Sequence, residues 1–125
     1  MTENELSYKI IGAALEVHKT IGAGLLENAY EIALAYELKK LGLKVENQIS
    51  LPLKYKEVSI DNAYRIDLIV ENKVIIEIKS VLDIHPISYS QVLTYLKLAD
   101  IKLGLLINFN TPLIKDGIHR IVNKL

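Results

Sequence analysis

Two short alternating segments, set three residues apart, constrain this chain more than any other feature. From Tyr64 to Val70, Tyr64, Ile66, Leu68 and Val70 fall on one face, and Arg65, Asp67 and Ile69 on the other. From Val74 to Ser80, Val74, Ile76 and Ile78 share one face, and Ile75, Glu77 and Lys79 the other. A period of two over such a length marks a strand with two distinct faces. Glu71-Asn72-Lys73 between them predicts a hairpin turn. Residues directly opposite in an antiparallel pair share a face, so the polar faces coincide only if the loop has an odd number of residues. A three-residue loop sets Asp67 opposite Glu77 or Lys79. A two-residue loop would set it opposite Ile78 and mix both faces. The pattern therefore predicts Asp67, Glu77 and Lys79 on one surface.

The remaining segments build outward from this hairpin. Leu6, Ile10, Ala13, Ala14, Val17 and Ile21 recur at helical spacing, predicting a helix from about Asn4 to Thr20 that Gly22 and Gly24 interrupt. A second helix is expected from about Leu25 to Leu41, closed by Gly42. Leu26, Ala29, Tyr30, Ala33, Leu34, Leu38 and Leu41 occupy much of its circumference, which predicts burial on more than one side. Val45, Ile49, Leu51 and Leu53 read as extended, with Pro52 marking an edge or an irregularity. Pro86 opens a third helix from about Ile87 to Ala99, with Tyr89, Val92, Leu93, Leu96 and Ala99 as its core face. Lys102 to Ile107 reads as a buried strand, Asn108 to Pro112 as a loop, and Ile118 to Val122 as a short last strand. The order ααβββαβ(β) predicts an α/β fold, an α+β sandwich in which helices flank a small mixed β-sheet.

Composition narrows the partners. A chain of 125 residues, 50% hydrophobic, fits one domain over residues 1–125 with a real core. Fifteen basic and fifteen acidic residues balance, and the pI is about 6.8. That is not the footprint of a protein gripping nucleic acid over its whole surface, so any phosphate must be held locally, by a patch or a metal. With no cysteine, disulfides and thiolate metal sites are excluded, leaving oxygen and nitrogen ligands that suit Mg²⁺ or Mn²⁺. The acidic start Met1-Thr2-Glu3-Asn4-Glu5 is unlike a signal peptide, and no apolar run is long enough for a bilayer. The expectation is a cytoplasmic protein without membrane contact.

Asp67 and Glu77 on neighbouring strands repel each other, so a divalent cation is their natural companion. Such a cation, completed by substrate phosphate, activates water for attack on phosphorus. Lys79, two residues from Glu77, can orient or deprotonate that water or steady phosphoryl charge. The plain alternative is a cross-strand salt bridge, Asp67 or Glu77 with Lys79 or Arg65. Gln91 and Tyr95 lie one helical turn apart beside the core face, either as a polar flank or as a supporting layer that reaches the site. Glu27 and Tyr30 are also one turn apart. Glu27 falls in line with Leu34 and Leu38, where an acid needs a partner, unless Gly24 is the N-cap and Glu27 occupies N3. Glu37 is a rival buried acid. His18, His85 and His119 lack metal-ligand spacing and read as surface or capping residues.

Gly24-Leu25-Leu26-Glu27-Asn28-Ala29-Tyr30 matches the pattern that names the GxxExxY proteins. The blocks Ala14 to His18, Tyr64 to Val70, Ile76 to Ser80 and Gly104 to Phe109 extend the resemblance from about Ala14 to Pro112. GxxExxY proteins are grouped with the PD-(D/E)XK nuclease-like superfamily, so the resemblance implies a restriction-endonuclease-like core. It puts Asp67 at the metal-binding aspartate, and Glu77 and Lys79 at the acid and lysine of the (D/E)XK element. Gln91 and Tyr95 resemble the QxxxY motif of the RecB-like branch, and Glu27 resembles the extra acid supplied by an early helix. Ile66 stands where the superfamily's name has proline, and Ser88 where the family usually shows a histidine.

Two functions follow as expectations. The first is an Mg²⁺- or Mn²⁺-dependent nuclease acting on DNA or RNA. Asp67, Glu77 and Glu27 hold metal, Lys79 and Gln91 join the catalysis, and Tyr95 and Tyr30 support it. The second is a non-catalytic module that binds nucleic acid or protein. The neutral charge and small size favour this one, with a homodimer or partner protein supplying further surface.

Overall fold

The computed structural model describes residues 1–125. Helix α1 (Glu3–Ile21) starts at a reciprocal capping box. The Thr2 hydroxyl accepts from the Glu5 N–H at 3.1 Å, and the Glu5 carboxylate accepts from the Thr2 N–H at 2.9 Å. It buries Leu6, Ile10, Ala13, Ala14 and Val17, the row that the helical spacing picks out. Helix α2 (Glu27–Lys40) closes where expected. The Gly42 N–H bonds the Lys39 carbonyl at 2.9 Å and the Leu43 N–H reaches the Leu38 carbonyl at 3.3 Å, the paired bonds of a Schellman end. Contrary to expectation, α2 is buried on one side only. Tyr30, Glu31, Leu34 and Leu38 face inward, while Leu26 and Leu41, which belong to the expected apolar circumference, are 82% and 51% exposed, and the outer face carries Ile32 and Tyr36. The helix is an outer layer, and no other part of the chain covers its far side.

Five strands form one sheet in the order β1-β2-β3-β4-β5: β1 (Val45–Tyr55), β2 (Val58–Val70), β3 (Val74–Lys79), β4 (Leu103–Asn108) and β5 (Ile118–Val122). Only β3 and β4 are parallel, joined through helix α3 (Ile87–Ala99). A mixed sheet with helices on both faces is the α+β architecture that the element order predicts. Leu68, Val70, Val74, Ile76, Ile78, Leu105 and Ile107 pack against α1 and α2. Ile69, Ile75 and Leu106 pack against Val92, Tyr95 and Leu96 of α3. The crossover helix lies close to β4 because residue 104 has no side chain; a Cβ there would stand 2.6 Å from Val92 Cγ1. The α3 core face is rotated from the expected one: Ser88 and Tyr95 are buried, whereas Tyr89 is 37% exposed and meets His119 edge-on.

The hairpin has the odd loop that the alternation demands. Val70 pairs with Val74 across Glu71–Lys73. Glu71 and Asn72 both have positive φ, 53° and 55°, and the Lys73 N–H returns to the Val70 carbonyl at 2.9 Å. These are the features of the primed turns that match strand twist. The alternation fails in one respect. Tyr64 and Ile66 do not share the face of Leu68 and Val70; they pack with Ile69 on the α3 side. The phase changes at Asp67. Beyond it the β2–β3 ladder has stopped, and Gln48, opposite Asp67 between the pairs Asn47–Leu68 and Ile49–Ile66, has φ 52°. A second irregularity falls between Leu51 and Leu53, at the position of Pro52. No helix is long and apolar enough to cross a membrane.

Candidate functional site

Where the β2–β3 ladder ends, side chains replace it. The last backbone pair is Leu68–Ile76, and one step further the register sets Asp67 opposite Glu77. The Asp67 N–H donates to Glu77 Oε1 at 3.0 Å, and the Ile78 N–H donates to Asp67 Oδ2 at 2.8 Å. Each carboxylate therefore has one oxygen anchored to backbone. Glu77 is buried and Asp67 half-buried. Burial, and then the charge of Asp67, pushes the Glu77 carboxyl up to about 8. Burial also raises Asp67, with the charges of Glu31 and Glu27 adding to it.

Lys79 is half-buried at the end of β3, and its charge lowers both acids, but it does not neutralise them. The chain's ion pairs are Lys40–Glu37 at 3.9 Å and Lys44–Glu46 at 3.6 Å. The cross-strand salt bridge of the plain alternative is absent. A buried acid facing a half-buried one, with no ion-pair partner for either, is costly. No group of three His, Cys, Asp or Glu side chains forms a ready-made cage. Mg²⁺ does not need one, because it binds through one or two carboxylates and keeps waters and phosphate oxygens as its other ligands. The donor set fits a hard divalent cation.

The loop before α2 explains the Gly24-to-Tyr30 pattern. Gly24 has φ 94°, a conformation that side chains with a Cβ rarely adopt. The Tyr30 hydroxyl donates to the Gly22 carbonyl at 2.6 Å and accepts from the Leu25 N–H at 3.1 Å. Its ring stacks on Phe109 with centroids 4.6 Å apart. Ser80 Oγ, next to Lys79, donates to the Leu25 carbonyl at 2.5 Å. The loop is thus tied to the ends of β3 and β4, and Glu27 follows it at the start of α2, its charge among those that raise Asp67. Leu26, not Gly24, is the N-cap, so Glu27 stands at the first helical position instead of N3, and it is exposed. Tyr30→Phe keeps the stack but strands the Gly22 carbonyl and the Leu25 N–H. It is expected to cost about 1–3 kcal/mol, read as a lower urea midpoint with an unchanged slope.

The other named residues separate clearly. Tyr95 is buried under α3, edge-on to Tyr64 at 5.6 Å, and its hydroxyl is raised by burial and by the charges of Glu77 and Asp67. Gln91 is exposed one turn earlier and is not a hydrogen-bond partner of either acid. Glu37 pairs with Lys40 instead of facing the site. His18 contacts the Thr111 carbonyl at 2.8 Å, and His85 Nδ1 accepts from the Ile87 N–H at 3.1 Å at the start of α3, the capping role expected. Sequence reasoning missed Glu31. It is 9% exposed, one turn deeper in α2 than Glu27, and the larger of the two α2 charges acting on Asp67. Glu31 shares a helical face with Leu34 and Leu38, as Glu27 does, so face alone does not separate the two acids.

A family model described as PD-(D/E)XK nuclease superfamily matches residues 4–121. Among solved structures, the crystal structure of SSO0001 is similar, with a TM-score of 0.57 and 26% identity over 79% of this chain and 51% of that one. The chain spans about half the length of that relative. No protein of curated function matches.

Proposed function

The chain belongs to the PD-(D/E)XK nuclease superfamily, and from that premise we propose that it is a metal-dependent nuclease of the GxxExxY type, hydrolysing phosphodiester bonds of DNA or RNA. The observation that carries this reading is the Asp67–Glu77 pair, two acids each anchored to backbone through one oxygen and left without a cationic partner. Asp67 and Glu77 hold Mg²⁺ or Mn²⁺, with Glu27 as an outer acid at the rim. When bound, the cation supplies Lewis acidity and a position for a phosphoryl oxygen. Lys79 orients or deprotonates the attacking water and steadies the charge that grows on the phosphoryl oxygens. Gln91, on the exposed side of α3, reaches toward a phosphate. Tyr95 packs beneath the acids, and Tyr30 holds the loop that delivers Glu27. Residues 1–125 act as one nuclease-like domain in the cytoplasm.

The test is incubation of plasmid, single-stranded DNA and RNA with Mg²⁺ or Mn²⁺. Cleavage that EDTA abolishes is expected. The balanced charge, fifteen acidic against fifteen basic residues, favours a second reading, a non-catalytic module that binds nucleic acid or protein, as a homodimer or with a partner. No cleavage of any substrate, together with no calorimetric metal binding, would replace the first reading with the second.

A further inference from the structure

Gln48 is the residue most at odds with its surroundings. It has φ 52° in the middle of β1, where an extended backbone is expected and where neither glycine nor asparagine relieves the conformation. Its register position is opposite Asp67. Its side chain donates Nε2 to Glu31 Oε1 at 2.6 Å. Glu31 is 9% exposed and has no ion-pair partner, so an amide is all that holds a buried carboxylate. A strained residue and a buried acid, joined to each other, with the first opposite a candidate metal ligand in the strand register, are a combination that surrounding structure maintains at an energetic cost.

We infer that Gln48 and Glu31 are positioning residues of the Asp67–Glu77 site: the left-handed turn at Gln48 aims its amide at Glu31 and fixes that carboxylate's charge beside Asp67, which strengthens cation binding there. The inference rests on the metal-dependent reading above. It separates the two acids of α2. Glu27 is exposed at the helix start, whereas Glu31 is buried and held by the Gln48 amide. A fixed charge costs no reorganisation when the cation arrives, so the held acid exerts the steadier pull.

Mn²⁺ binding by calorimetry on the intact chain tests this without substrate. Glu31→Gln preserves size and can still pair with Gln48 while removing the charge. It is expected to weaken Mn²⁺ binding roughly 10- to 100-fold, the range seen when outer groups around a metal site are removed, with cleavage recovered at high Mn²⁺. Gln48→Gly relieves the backbone and deletes the amide. It is expected to weaken Mn²⁺ binding in the same direction while the urea midpoint holds or rises. A strut of structural importance only would give the reverse for Gln48→Gly, an unchanged affinity and a lower midpoint, and that outcome overturns the inference. Wild-type binding of Mn²⁺ with an unaffected Glu31→Gln overturns this inference alone. No Mn²⁺ binding by the wild type overturns both it and the metal-dependent reading.

Discussion

Asp67→Asn is expected to lose on the order of 10²–10³-fold in the proposed Mg²⁺-dependent cleavage, yet in EDTA at pH 8 it should unfold at a higher temperature than the unaltered chain. The two halves have one cause. Without a cation, the Asp67 and Glu77 carboxyls face each other under burial and both are raised. The amide still accepts the Ile78 N–H that Asp67 Oδ2 takes at 2.8 Å, and its NH₂ can donate to Glu77. Repulsion becomes a hydrogen bond, worth about 1–2 kcal/mol, or roughly 4–8 °C in this size range. Lys79→Ala is expected to lose cleavage by a similar factor, but its stability should change in the opposite direction, because Lys79 is the charge that favours both ionised acids. Plasmid cleavage and thermal melts on the same three proteins read both signs. Unchanged cleavage in both variants would remove Asp67 and Lys79 from the proposed chemistry.

That pairing of Asp67 with Glu77 was legible from alternation and an odd loop, because strand period and hairpin register are local properties of sequence. Pro52, Pro86 and Gly42 also declared themselves, the prolines through a fixed φ and the glycine through its freedom at positive φ, both local to a few residues. What escaped was set by long-range packing. The change of face between Ile66 and Leu68 depends on a left-handed Gln48, nineteen positions before Asp67, and glutamine carries no signal for that conformation. The exposed Leu26 and Leu41 could not be told from core residues, since apolar identity does not say which side of a helix has a neighbour. Glu27 drew attention through its motif, while Glu31, one turn deeper, is the α2 acid that the fold buries. An end-of-helix position and a mid-helix position on the same face differ in depth, and a helical wheel has no depth.

The largest expected stability effect belongs to Glu77. Its carboxyl rises from 4.5 to about 8 on folding without metal, so the folded chain holds a proton that the unfolded chain has released. A raised acid contributes stability that is fully present below its unfolded value, near pH 4.5, and is lost as pH climbs through its folded value, near 8. Asp67 shifts in the same direction and adds to the loss. The metal-free chain should therefore weaken from about pH 5 to pH 9 by on the order of 4 kcal/mol, a fall of well over ten degrees in Tm. Mg²⁺ requires the ionised pair, so it should restore Tm most at the alkaline end and release a proton on binding near pH 7. Melts in EDTA and in Mg²⁺ across this range, with calorimetry in buffers of different ionisation heat, measure both effects. Glu77→Gln cannot ionise, and its EDTA curve should be the flatter one. If it keeps the wild-type slope, the buried acid pair is not what makes this fold sensitive to pH, and the argument that a cation is needed to relieve it loses its footing.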